Sequence, residues 1–385
     1  MKNHSFGLLF GLLLILVACA PKTSKAPVEE DLIQAQLDSM TLREKVGQLF
    51  CIRPESYNVA LKWETYDQLA SYKLQAVNEQ MKKVSREYPA GGIILFAYNI
   101  DNEAQLSTFR DSLKALAGAP LLYIDEEGSR VARIANNPNF SVEKFESMGA
   151  IGKSGDPKNA YHCGNTIGTY LKRYGFDVDL APVADVNTNP KNPVIGTRAF
   201  SSDPELAAKM VVSYAKGLKD AGVASCLKHF PGHGDTSTDT HFGYAQTLKT
   251  WEEMLGCEMV TFKAGIDDGV PMIMTAHIAA PGVTGSGVPS TLSPIILSEK
   301  LRKELGFDGI IITDSMAMGA ITREYDSATA AVLSLQAGAD IILDPKVFTE
   351  AFEGVMKAVQ QDSTLTEARI DESVRRILKL KASLQ

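Results

Sequence analysis

The chain has 385 residues, 45% of them hydrophobic and 22% charged, which is the balance of an ordinary globular protein rather than a disordered or fibrous one. Its formal net charge of −7 offers no basic face for nucleic acid, so a nucleic-acid partner is not expected. Length alone admits one large domain or several smaller ones.

The first element stands apart from any fold. Lys2 and His4 precede an apolar run from Phe6 to Val17, too short to span a bilayer comfortably. The run has the form of the h-region of a secretory signal. It ends in Leu16-Val17-Ala18-Cys19, which resembles a bacterial lipobox. The reading is a signal peptide over residues 1–19, with Cys19 acylated to become the new N-terminus. The alternative is a plain signal peptide with a chance cysteine. Acylation places the protein in the bacterial cell envelope, membrane-anchored on the periplasmic side, because several acyl chains hold far better than one. Residues 20–37 are expected to be a flexible tether, since APKTSKAPVEE carries Pro and Ser and no apolar period. Cys51, Cys163, Cys226 and Cys257 show no CxxC or other metal spacing, and Cys51 and Cys226 sit in apolar runs as buried small hydrophobes.

Past the tether, eight short apolar runs recur: Leu49 to Ile52, Gly92 to Phe96, Leu121 to Ile124, Val178 to Pro182, Ser225 to Leu227, Met272 to Met274, Ile310 to Ile312 and Ile341 to Leu343. Most lack polar alternation, the pattern of parallel strands buried on both faces. Amphipathic stretches such as Ala207 to Asp220 and Ser298 to Leu305 lie between them. Thr41 to Glu44 has capping-box spacing, and Pro204 after Asp203 fits the first turn of a helix. The last helix, about Glu367 to Leu384, carries Ile370, Val374, Ile377, Leu378 and Leu380 at helical spacing. Strand alternating with helix eight times predicts an α/β fold, a single (β/α)8 TIM-type barrel over residues 38–385 with no additional C-terminal domain. An open doubly wound sheet is the competing architecture. Polar groups directly follow most runs: Asp125, Asp185, Lys228-His229, His277 and Asp314. In a barrel these strand ends share one face, where active sites are built.

The densest polar segment runs from Lys228 to His241, too polar and Gly-rich for helix or strand. Three readings compete. His229, His233, Asp235 and His241 could bind a metal such as zinc, although no HExxH element is present. The loop could be a structural plug. Or Asp239 orients His241 as a general acid/base, the one-residue gap letting both side chains point the same way in an extended segment.

Lys-His-Phe-Pro-Gly-His-Gly-Asp-Thr, followed by Asp239 and His241, resembles the signature loop of the β-N-acetylhexosaminidases of glycoside hydrolase family 3. Met40 to Gln48, Gly91 to Phe96, Ile124 to Val131, Asp179 to Val186 and Leu305 to Met316 resemble other family segments in order, so the likeness covers about residues 38–382. It implies Asp314 as catalytic nucleophile, His241 as acid/base and Asp239 as its dyad partner. It implies Asp125, Arg133, Arg198, Lys228 and His229 as contacts to the non-reducing terminal sugar. Blander roles remain open: a solvated helix-start charge for Arg133, a loop-holding role for Arg198, loop ordering for Asp185, and packing against the site wall for His277. The implied reaction is a two-step retaining hydrolysis through a glycosyl-enzyme, needing no metal or organic cofactor. The implied substrate is a carbohydrate with terminal β-linked N-acetylglucosamine, as in peptidoglycan fragments, chitin oligomers or host glycans. Phosphorolysis at the same site and metal-dependent hydrolysis are the alternative activities, and a catalytically dead sugar-binding lipoprotein is a rival of another class. The chain departs from the family pattern in two places. Ser129 stands where a second Gly is usual, which is costly if that residue needs positive φ. Thr240 replaces a Ser between the dyad residues.

Overall fold

The computed structural model describes Met1 and residues 25–236, 245–361 and 365–385. Among these, the eight apolar runs become eight parallel strands: β1 (Phe50–Ile52), β2 (Gly92–Leu95), β3 (Leu121–Ile124), β4 (Val178–Asp179), β5 (Ala224–Phe230), β6 (Met272–Thr275), β7 (Ile310–Ile312) and β8 (Ile342–Leu343). They pair in the order β7-β6-β5-β4-β3-β2-β1-β8. A parallel bridge between Ile312 and Ile341 joins the two ends, closing the barrel. Every strand residue is buried, as continuous apolar runs require when helices cover one face and the barrel interior fills the other. Cys51, Cys163 and Cys226 are free and buried.

Local signals hold where they were strongest. Thr41 and Glu44 form a reciprocal capping box at the helix Leu42–Gln48. Asp203 caps Pro204–Asp220 through the amides of Glu205 and Leu206. The stretch expected as an ordinary amphipathic helix around Ser298 to Leu305 is instead a π-helix, Ile295–Glu304.

A helix spans Lys25–Ser39 where the sequence predicts a tether through residue 37. Ile33 and Leu37, one turn apart, are buried, and Glu30 pairs with Arg375 and Lys379 of the last helix, Glu367–Ser383. Two apolar side chains at helical spacing are enough to dock a short helix once a receiving surface exists, a context that a local composition argument cannot supply. Residues 2–24, which hold the rest of the expected signal peptide, Cys19 and the start of the expected tether, lie outside the described residues. Among the described residues no helix is long and apolar enough to cross a membrane.

The two ends of the barrel differ in chemistry. At the underside, the buried Asp340 carboxylate accepts from Ser373 Oγ at 2.6 Å and pairs with Arg376 at 3.1 Å and with Arg302. This ties β7, β8 and the last helix together. At the other end the polar residues after the strands converge.

Candidate active site

Asp125, Glu127, Arg133, Arg198, Lys228, His229, His233, Asp314, Ser315 and Asp344 line one cleft of about 430 Å³ at the C-terminal mouth of the barrel. All five residues expected to hold the sugar, and the expected nucleophile, are therefore together. Asp239 and His241 lie outside the described residues.

The cleft is built around alternating charges. Lys228 sits where the β5–β6 register shifts between Leu227 and Phe230. Its Nζ lies 2.9 Å from Asp125 Oδ1 and 2.7 Å from Glu127 Oε1. Asp125 Oδ2 also accepts from Arg133 at 3.1 Å. Glu127 takes a bidentate pair from Arg198, Nε at 2.8 Å and Nη2 at 2.7 Å. Burial opposes ionisation of Asp125, but the charges of Lys228 and Arg133 outweigh it and hold the carboxyl below its usual range. The same contest at Glu127, with Arg198 and Lys228 as counter-charges, keeps its carboxyl far below that range. Burial disfavours charge on Lys228 too, yet Asp125 and Glu127 push its basicity above normal. These groups are ionised partners of one another before any ligand arrives.

Glu127 was not anticipated as a site residue. Its signal is the Asp125-Glu126-Glu127 run, in which the first and third side chains can share a direction. Glu126, between them, turns inward as scaffold. Its carboxylate accepts from the amides of Ile134 (2.9 Å) and Ala135 (2.8 Å) and from Tyr170 Oη (2.8 Å). That fixes the bend carrying Arg133. Ser129 carries no strain here, because Gly128 alone of the pair adopts positive φ, +92°.

Asp185 is a loop organiser. Its buried carboxylate accepts from His229 Nδ1 at 2.7 Å and from the backbone amides of His229 (3.2 Å) and His233 (2.6 Å). The turn it holds needs its glycines. Gly232 has φ +126°, and a Cβ on Gly234 would lie 1.9 Å from Val186 O.

Asp314 follows β7, and its Oδ1 accepts from the Ser315 amide at 2.7 Å. Ser315 is held from two further sides. His277 Nε2 donates to its carbonyl at 3.0 Å, while its Oγ donates to Asp344 Oδ2 at 2.7 Å. His277 is thus part of the wall behind the Asp314–Ser315 turn, as its position after β6 suggests. Asp344 is fully buried, adopts φ +51° and forms a two-pronged ion pair with Arg53. Arg53 lies 4.7 Å from the Trp63 ring centroid and 5.3 Å from that of Phe96. Arg53 and Asp344 immediately follow the first and eighth strands, so the strand-end rule that finds Asp125 and Asp314 would have found them.

Beside Arg53, Glu55 is only 3% exposed and accepts from Asn99 Nδ2 at 2.7 Å. Burial lifts its carboxyl from an ordinary 4.5 to about 7, against the opposing Asn99 bond and Arg53 charge. A folded-state value above the unfolded one gives stability that is complete below the unfolded value and is lost as pH rises through the folded one. Raising the pH from about 5 to about 8 is expected to destabilise the protein by up to roughly 3 kcal/mol relative to Glu55→Gln. Parallel denaturant curves for the two proteins across that range would refute this.

Among the described residues no group of three or more His, Cys, Asp or Glu side chains converges as a metal ion would require.

Comparison with known proteins follows the same lines. Residues 41–380 match the glycosyl hydrolase family 3 N-terminal domain. The chain is 34% identical over 330 residues to a β-hexosaminidase A of Pseudoalteromonas piscicida, covering 79% of this chain and 55% of that protein. It superposes on a glycoside hydrolase family 3 β-N-acetylglucosaminidase from a Paenibacillus species with a TM-score of 0.80 and 33% identity, covering 90% of this chain and 63% of that one. A family 3 glycosyl hydrolase structure from Mycobacterium smegmatis gives a TM-score of 0.74 at 28% identity, covering 89% of this chain and 98% of that one. The chain thus spans little more than half the length of the first of these relatives and nearly all of the last. With the barrel, the strand-end residues and the match over residues 41–380 in agreement, the chain belongs to glycosyl hydrolase family 3.

Proposed function

We propose that the protein is a retaining β-N-acetylhexosaminidase that removes terminal, non-reducing β-linked N-acetylglucosamine. The observation that carries this reading is the placement of Asp314 in one cleft with the pre-paired cage of Asp125, Glu127, Lys228 and Arg198. The cage supplies donors and acceptors for sugar hydroxyls, and Asp314 supplies a carboxylate at the strand end beside it. In the proposed reaction Asp314 attacks the anomeric carbon while protonated His241 assists departure of the leaving sugar. Neutral His241, oriented by Asp239, then deprotonates the water that releases the product. Hydrogen bonds that the sugar hydroxyls donate to the cage carboxylates strengthen as positive charge develops on the sugar.

The similarity to proteins named β-hexosaminidase and β-N-acetylglucosaminidase supports the amino-sugar preference. We further propose anchoring through acylated Cys19 on the periplasmic side of the envelope, where peptidoglycan fragments are the first candidate substrates. Incubating the protein with purified muropeptides and with chitobiose, and identifying the products, tests both activity and preference. Release of N-acetylglucosamine is the expected result, and no release from either sinks the reading. Repeating the assay in phosphate and in a non-coordinating buffer identifies phosphorolysis, which would yield the sugar 1-phosphate. Loss of activity in EDTA with recovery in zinc would favour the metal-dependent alternative.

A further inference from the structure

Most polar atoms of the cleft are already committed. Asp125 serves Lys228 and Arg133, Glu127 serves Arg198 and Lys228, and Asp185 serves His229 and the His233 amide. His233 lines the cleft, is 3% exposed, and its Nε2 is buried without a hydrogen-bond partner among the described residues. Among them Arg133 Nε is buried without a partner too but can only donate, whereas His233 can accept. An unpaired buried polar atom costs about 1–3 kcal/mol, so one that persists in a binding cleft wants an explanation.

The surroundings of the ring define what Nε2 can bind. The His233 amide is pinned to Asp185 Oδ1 at 2.6 Å, and Nδ1 lies 2.6 Å from Thr236 Oγ1. The same hydroxyl lies 2.9 Å from the His233 carbonyl, to which it donates. A hydroxyl has one proton. With that proton on the carbonyl, Oγ1 must accept from Nδ1–H, which leaves Nε2 as a bare lone pair. Burial, opposed by Asp185, lowers the basicity of the ring and keeps it neutral. His233 is therefore an acceptor held rigidly in place, in the cleft that Asp314 also lines.

A sugar hydroxyl can donate or accept, so the cations of the cage can satisfy it. The N–H of an acetamido group can only donate, and Lys228, Arg133 and Arg198 have nothing to offer it. The carbon that bears this group adjoins the anomeric carbon, which Asp314 must approach. We propose that His233 Nε2 accepts a hydrogen bond from the N–H of the substrate's 2-acetamido group and is a determinant of amino-sugar specificity. This rests on the function proposed above.

The test compares two aryl β-glycosides of the same shape, one with a 2-acetamido group and one with a 2-O-acetyl group, whose ester oxygen carries no hydrogen. His233→Ala is expected to lower kcat/KM for the acetamido substrate by about 10- to 100-fold. On the ester, where wild type has already lost the bond, the same variant should change little. Thr236→Val keeps the ring but removes the acceptor for Nδ1–H, and should reproduce the selective loss in weaker form without unfolding the turn. Equal losses on both substrates, or no loss on either, would overturn the assignment and leave His233 as packing. A wild-type protein that cleaves neither substrate would overturn the proposed function itself.

Discussion

Asp314→Ala is expected to slow turnover of an aryl β-N-acetylglucosaminide by at least about 10⁴-fold, because a step that needs a covalent partner loses it. Binding of the sugar should survive, since none of the cage pairs involves Asp314. A smaller nucleophile admitted to the vacated space, such as azide, should restore turnover and yield the α-glycosyl azide, one inversion having replaced two. His241→Ala should behave differently, with a loss of about 10²- to 10⁴-fold that shrinks as the leaving group becomes more acidic. Mass spectrometry of wild-type enzyme quenched during turnover should find one N-acetylhexosamine added to the peptide bearing Asp314. Full activity in Asp314→Ala would refute the nucleophile, and the covalent mechanism with it.

Glu127→Gln should be among the most destabilising single-atom changes in the molecule. The substitution keeps shape and removes the charge that two buried cations share, Arg198 at 2.7 Å and Lys228 at 2.7 Å. Leaving a buried ion uncompensated costs about 3–5 kcal/mol, far more than the pair's net worth over an apolar replacement. The double variant Glu127→Gln/Arg198→Met should therefore be less destabilised than the sum of its single changes, because it removes the orphaned guanidinium as well. Chemical denaturation of the three variants measures that coupling. Strict additivity would mean that the two side chains act independently despite their bidentate geometry.

The barrel was legible because parallel strands buried on both faces need no partner-specific pattern, only apolar runs at regular spacing. Asp125, Lys228 and Asp314 were legible because barrel geometry sends every strand end to one face. Glu127 and His233 were less so, since their importance lies in pairing: one neutralises two cations from distant segments, and the other is conspicuous for what it lacks. Neither property exists until the loops after β3, β4 and β5 meet. The tether expected over residues 20–37 is a helix from Lys25 onward for the same reason, because Ile33 and Leu37 acquire their value only from a surface built by the last helix.

That arrangement makes the earliest and latest parts of the chain each other's partners. β1 lies between β2 and β8, Lys45 pairs with Glu367 and Asp371, and Gln48 accepts from Lys381. The three side-chain contacts each span more than three hundred residues, the kind whose loop-closure entropy slows folding most. The seam between first and last strands stays open until β8 has been made. During synthesis the emerging chain therefore carries an unpaired β1 edge until β8 arrives, the kind of edge that invites pairing with another chain.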